Sequence, residues 1–207
     1  MAAPPSFGDH GLPGVDAPAL PRLPLIEIDR RIARFLWLER RRFEVLGGWT
    51  ASVPELDVKV MVATQSHHHA WHASLWERHL PHRSGEVVSD GAGSFQDRLG
   101  AFVDAVRSTG DTLDRLVGAY RVLGAHAVGA YSRLLDGATA VPDAALARTC
   151  RLVLSDQLDD WRRGEMALQS LLGSGADVER AGARQARLEA LLLDEGGFDG
   201  VGAAGRV

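Results

Sequence analysis

The sequence predicts an all-α protein, and three observations carry that prediction. Apolar residues recur at i, i+3, i+4 and i+7 through most of the chain after Leu25, which is one face of a helix. No segment alternates polar and apolar residues with period two, so no half-buried strand is indicated. Glycine, proline and capping residues fall between the periodic stretches and punctuate them into helices.

The first helix carries Ile28, Ile32, Phe35, Leu36, Glu39, Phe43 and Leu46 on one stripe. Gly47 and Gly48 are expected to end it. Ser52-Val53-Pro54-Glu55 has the form of a capping box with proline near the first turn. It opens a second helix that runs to about Leu80, where Pro81 stops it. The stripe of that helix is Val58, Met61, Val62, Gln65, His68, His72, Leu75 and Trp76. Residues 81–93 read as loop. A cap-like Ser94 to Asp97 then opens a short helix that ends near Gly110. Asp111 caps a third long helix reaching Leu135. Pro142 opens a fourth, from about Asp143 to Leu172, with Cys150, Leu154, Leu158, Trp161, Leu168 and Leu172 as its apolar stripe. Ser174 and Asp177 start a last helix, which fades into glycine-rich chain after Asp194.

The expected organisation is therefore a Pro/Ala/Gly-rich disordered arm over 1–24, a helical bundle over 25–173, a C-terminal helix over 174–194 and a flexible tail over 195–207. Six of the nine prolines lie in that arm, a composition that favours extended chain. The 207 residues are 45% hydrophobic and 24% charged, enough to bury a core and unlike a disordered chain. No apolar run approaches the ~20 residues that a spanning helix needs, so no membrane contact is expected. No basic residue precedes Arg22, which argues against a secretory signal. Cys150 is the single cysteine and suits a reducing, cytoplasmic setting. The net charge of -4, with Lys59 the one lysine, disfavours nucleic acid. The arginines of the first helix read as a solvated face.

The four long helices span roughly 23 to 30 residues, or about 35 to 45 Å each. Short loops join the first to the second and the third to the fourth, and a long connection joins the two pairs. In helix lengths and connection order, residues 25–173 resemble the ferritin-like superfamily, whose bundles join two helical hairpins by one crossover. The resemblance implies an antiparallel four-helix bundle with a short crossover helix, followed here by a C-terminal helix. It also implies a place for two irons, held by a glutamate on each of two helices and Glu-x-x-His on the other two.

The sequence departs from that ligand pattern. The second helix offers Gln65-Ser66-His67-His68, with an amide in place of the carboxylate. The third has no acidic residue between Asp114 and Asp136, and its interior is rich in small residues, among them Gly118, Gly124 and Ala127. The fourth offers Asp156-Gln157-Leu158-Asp159, on the side opposite its apolar stripe, where Asp156, Asp159 and Asp160 read as a solvated acidic face. A degenerate site is expected.

Six of the eight histidines lie between His67 and His82. Two imidazoles at i and i+4 project over one turn and can share a metal ion, and His68 and His72 stand so on the inner stripe. Glu39 is the carboxylate expected to meet them. An isolated buried carboxylate is costly, and a Glu39–His68 contact or a shared ion relieves that cost. The expected metal residues are thus Glu39, His68 and His72, with Gln65 and His69 supporting them by hydrogen bonds. The other reading of the same histidines is packing and hydrogen bonding alone. A second likeness is to the DinB family of three-histidine metal bundles, with His68 and His72 as its His-x-x-x-His and His126 the one candidate for the third.

The expected cofactor is therefore none or a single Fe or Zn ion. The expected function is a non-catalytic binding or scaffolding protein with a protein partner or a small-molecule ligand; a homo-oligomer is compatible with it. The alternative is a mononuclear or atypical metal-dependent oxygenase or hydroxylase that uses a Glu/His site in the bundle core.

Overall fold

A computed structural model describes residues 24–80, 92–108, 110–137 and 143–198. Among them six helices follow one another and no strand occurs. They are α1 (Leu25–Trp49), α2 (Leu56–Glu77), α3 (Ala92–Arg107), α4, α5 (Ala144–Leu171) and α6 (Gly175–Asp194). Helix α4 runs unbroken over 112–137, as an α-helical start at Thr112–Leu116, a π-helical stretch at Val117–Gly124 and an α-helical end at Ala125–Gly137. No helix among the described residues is long and apolar enough to cross a membrane. The arm expected over 1–24 lies outside the described residues except for Pro24, whose carbonyl accepts the amides of Glu27 and Ile28.

Two helix starts follow their capping chemistry. The Asp111 carboxylate accepts the amides of Leu113 at 2.7 Å and Asp114 at 3.4 Å, and the Ser174 hydroxyl accepts that of Asp177 at 3.2 Å. The capping box at Ser52–Glu55 does not form. Ser52 Oγ instead accepts from Arg115 at 2.9 Å and Glu55 from the Thr112 hydroxyl at 2.8 Å, so both residues tie the α1–α2 turn to α4.

Side-chain contacts fix the directions of the long helices. Phe35 meets Trp76, Glu39 meets His69, and the Phe43 carbonyl meets Ser66, so α1 and α2 are antiparallel. His68 meets Asp160, His72 meets Asp156 and His79 meets Thr149, so α2 and α5 are antiparallel as well. Arg121 with Glu165 and Tyr131 with Cys150 set α4 against α5 in the same sense. Phe35 against Tyr131, with ring centroids 4.6 Å apart, joins α4 to α1 across one shared core.

Both α2 and α5 face the core at an angle different from the one their apolar residues suggest. In α2 the buried set is Val58, Val62, Gln65, Ser66, His69, His72, Ala73 and Trp76. At about 100° per residue this face is turned roughly 50° from the expected stripe, toward Ser66 and Ala73. The small side chains let α1 approach closely: a Cβ added at Gly47 would stand 3.0 Å from Ser66 Oγ. Gly47 is thus a helix contact rather than a stop, and α1 continues to Trp49. Phe43, expected inside, is 45% exposed. In α5 the buried set is Leu146, Ala147, Cys150, Val153, Gln157, Asp160, Gly164 and Leu168, turned by roughly 60° from the Leu154–Leu158–Trp161 stripe. Polar and small residues hold the true inner face, and hydropathy places them outside.

The small residues of α4 serve contacts on both of its sides. Gly118 lies against Val106 and Leu188, and Gly124 beside Trp161 and Arg42. After α6, Gly196 and Gly197 take positive φ of 87° and 66°, a conformation that costs glycine least. Phe198 then folds back, buried against Phe102. Of the tail expected over 195–207, residues 195–198 are described and 199–207 lie outside the described residues.

Gly164 gives a test of the packing. A Cβ there would stand 2.2 Å from the Tyr120 ring, so glycine is required in mid-helix although alanine is intrinsically better by about 1 kcal/mol. Gly164→Ala is expected to destabilise the chain by about 2 kcal/mol in urea unfolding, the cost of overpacking. A stabilised variant would show that Tyr120 does not occupy that space.

Candidate metal centre

Four helices bring polar side chains to the middle of the core. α1 supplies Glu39 and, one turn on, Arg42; α2 supplies Gln65, His69 and His72; α4 supplies Tyr120 and Tyr131; α5 supplies Gln157 and Asp160. All of them are buried. Phe35, Trp76 and Tyr131 form an aromatic wall beside them, with Trp76 stacked on Tyr131 at 5.6 Å.

Glu39 is the hub. Its Oε1 accepts from the Tyr131 hydroxyl and lies 3.8 Å from Arg42 Nη1. Its Oε2 accepts from His69 Nδ1 at 2.6 Å and lies 3.6 Å from His72 Nδ1. One ligand atom from each of Glu39, His69 and His72 can be chosen so that all three lie within 4.8 Å of one another, and all three residues are 0% exposed.

Burial alone raises a carboxyl's pKa. Here the His69 and His72 contacts and the Arg42 charge outweigh it and hold Glu39 well below the usual range. Burial, with Arg42 adding to it, pushes His69 down to about 4, so its imidazole is neutral. With Nδ1–H donated to Glu39, the bare nitrogen is Nε2, which has no hydrogen-bond partner among the described residues. For His72, burial works downward, but Glu39 and then Asp156 overcome it and raise the pKa. Its Nε2 meets Asp156 Oδ2 at 3.0 Å. A carboxylate on the outer nitrogen of a histidine fixes its orientation and leaves the inner nitrogen for a ligand. Burial, followed by the Glu39 charge, drives the Tyr131 hydroxyl far up, so it stays a donor.

Gln157 fills the space between the imidazoles. Arg42 Nη1 donates to its Oε1, and because arginine cannot accept, the amide NH2 must face inward. That nitrogen stands 3.3 Å from Nδ1 of both His69 and His72.

Two of the three expected metal residues, Glu39 and His72, come together. His68 does not join them. Its side chain is 30% exposed and its Nδ1 meets Asp160 at 3.0 Å, because the turn of α2 puts His69 at the centre of the inner face. His69, expected to support the ligands, instead touches Glu39 directly. Gln65 hydrogen-bonds elsewhere: it accepts from Tyr120 and donates to the Asp160 carbonyl at 3.1 Å. The acidic face expected on α5 divides. Asp159 is exposed and pairs with Arg162, Asp156 is half-buried on His72, and Asp160 is buried. Arg42, Tyr131 and Gln157 were not legible as site residues. The spacing of Arg42, i+3 from a carboxylate on the inner stripe, was the one signal that could have found Arg42. His126, the third histidine of the DinB likeness, packs on Phe198 instead.

The sign of the pH dependence follows. A histidine with a depressed folded pKa stabilises the fold above its unfolded value of 6.5, and that contribution is lost as pH falls from 6.5 to about 4. The 2.5-unit difference amounts to roughly 3 kcal/mol. His72, shifted upward, opposes part of this loss: its contribution is full at low pH and lost as pH rises past its folded value. The metal-free chain is therefore expected to lose stability between pH 6.5 and 4 in urea titrations, and His69→Gln to flatten most of that slope. An unchanged slope would show that His69 is not buried as a neutral group.

No protein-family model matches the chain, and neither does any curated protein or solved structure.

Proposed function

We propose that the chain is a ferritin-like bundle whose di-iron position is reduced to a site for one divalent transition-metal ion. In this reading it acts as a binding or scaffolding protein rather than as a bridged di-iron enzyme. The observation that carries the reading is the buried Glu39–His69–His72 set, with its ligand atoms within 4.8 Å of one another. Two imidazoles and one carboxylate suit Fe²⁺ or Zn²⁺. His72 already has the outer-nitrogen carboxylate that metal-bound histidines carry,. Glu39, His69 and His72 would hold the ion, which would supply positive charge in place of the His69 Nδ1 proton that Glu39 accepts; Asp156 and Tyr131 orient two of the three.

Several features support the ferritin-like part. Two antiparallel hairpins, α1–α2 and α4–α5, are joined across a segment that contains the short α3. A π-helical stretch interrupts α4 beside the polar core, and such stretches are frequent at functional sites. A second metal is disfavoured by the Arg42 guanidinium, a fixed positive charge 3.8 Å from Glu39.

The second reading is a mononuclear metal-dependent oxygenase or hydroxylase. The ligand set favours it, since two histidines and one carboxylate with open positions are the iron arrangement of such enzymes. It requires an open coordination position, whereas a binding site is closed by a fourth protein ligand.

Anaerobic loading with Fe²⁺ or Zn²⁺, followed by elemental analysis, tests the proposal. About one ion per chain is expected. His69→Ala and His72→Ala should each abolish stoichiometric binding, and His67→Ala, at an exposed position, should not. Two ions per chain, or none, would overturn it.

A further inference from the structure

Glu39, His69, His72 and Gln157 bring four polar atoms together at the centre, and three of their separations match the edge of a four-ligand site. Legs of about 2.1 Å meeting at the tetrahedral angle place neighbouring ligand atoms about 3.4 Å apart. Glu39 Oε2 and His72 Nδ1 are 3.6 Å apart, and the Gln157 amide nitrogen is 3.3 Å from each histidine Nδ1. The edge between Glu39 Oε2 and His69 Nδ1, at 2.6 Å, is closed to a hydrogen bond. A metal ion replacing the proton in that bond would open it by about 0.8 Å to reach tetrahedral spacing.

Without metal, the amide NH2 stands at the place of a fourth ligand. It can donate to His72 Nδ1, whereas His69 Nδ1 carries the proton given to Glu39, and Arg42 holds the oxygen end outward. We infer that Gln157 is the fourth ligand: on metal binding its amide turns over, Oε1 faces the ion, and Arg42 is released toward Glu39 Oε1, 3.8 Å away. This rests on the single-metal reading above and completes it, since four protein ligands make a closed site and favour binding over oxygen chemistry. Among the described residues, Gln157 is the one side chain outside the triad with a polar atom within hydrogen-bond distance of both imidazoles.

Co²⁺ is the probe, because its visible absorption is strong in four-coordinate sites and weak in five- or six-coordinate ones. The full chain is expected to bind one Co²⁺ with an intense visible band. Gln157→Leu should weaken binding at least about tenfold, the lower end for groups that support a metal, and lose the band. Gln157→Glu should bind at least as tightly as the unmodified chain and keep an intense band at a shifted wavelength, because the ligand oxygen changes from amide to carboxylate. Unchanged affinity and band in Gln157→Leu would overturn the inference while leaving the three-residue site in place. Should Gln157→Leu fail to fold, a Gln157→Glu band identical to that of the unmodified chain would overturn it equally. Failure of the unmodified chain to bind Co²⁺ would remove the single-metal reading, and this inference with it.

Discussion

A carboxylate fully buried among four helices is the constraint on which the rest of the core depends. An ion of that size loses several kcal/mol of solvation on burial, so Glu39 must be answered by donors and positive charge from every side. The neighbouring positions supply them. Arg42 lies one turn along the same helix, His69 and His72 come from α2, and Tyr131 comes from α4. Each of these is buried and needs its own partner. The demand passes outward to Gln157 behind Arg42 and to Asp156 behind His72. It stops where Asp156 reaches the surface.

This network shapes the packing around it. Polar side chains on the inner faces of α2 and α5 leave less room for aliphatic ones, and the apolar filling comes from aromatic rings instead. Tyr120 lies over Gly164, and Trp76, Phe35 and Tyr131 pack edge and face against one another. Close approach of α1 to α2 at Gly47 and Ser66 brings Glu39 within 2.6 Å of His69. Partly satisfied buried networks are costly. The bare Nε2 of His69 and the indole N–H of Trp76 mark where this one is least complete.

The same physics decides how much was legible in the sequence. The helical class, the starts at Asp111 and Ser174 and the presence of Glu39 and His72 in the core all follow from local rules: periodicity, capping and the cost of a lone buried carboxylate. The phase of α2 and α5 does not. Hydropathy ranks Met61 and Leu75 above Ser66 and Ala73, and Leu154 and Leu158 above Gln157 and Asp160. A core organised by a charge inverts that ranking. The phase of α2 accounts for His68 chosen over His69, and the phase of α5 for Asp160 set in solvent. Arg42 escaped for a related reason. It stands in the run Arg40-Arg41-Arg42, where composition signals a solvated face, and only its pairing with a buried glutamate one turn earlier sets it apart.

The ionisation of Glu39 is the most direct measure of this account. With ¹³C at the glutamate carboxyl carbons and Glu39 assigned by comparison with Glu39→Gln, its carboxyl shift can be followed with pH in the metal-free chain. The account predicts a carboxylate at neutral pH that stays ionised well below the ordinary glutamate value of 4.5. A Glu39 that is protonated at neutral pH, or that titrates at or above that value, would contradict it. The core would then be held by packing, with no buried charge at its centre.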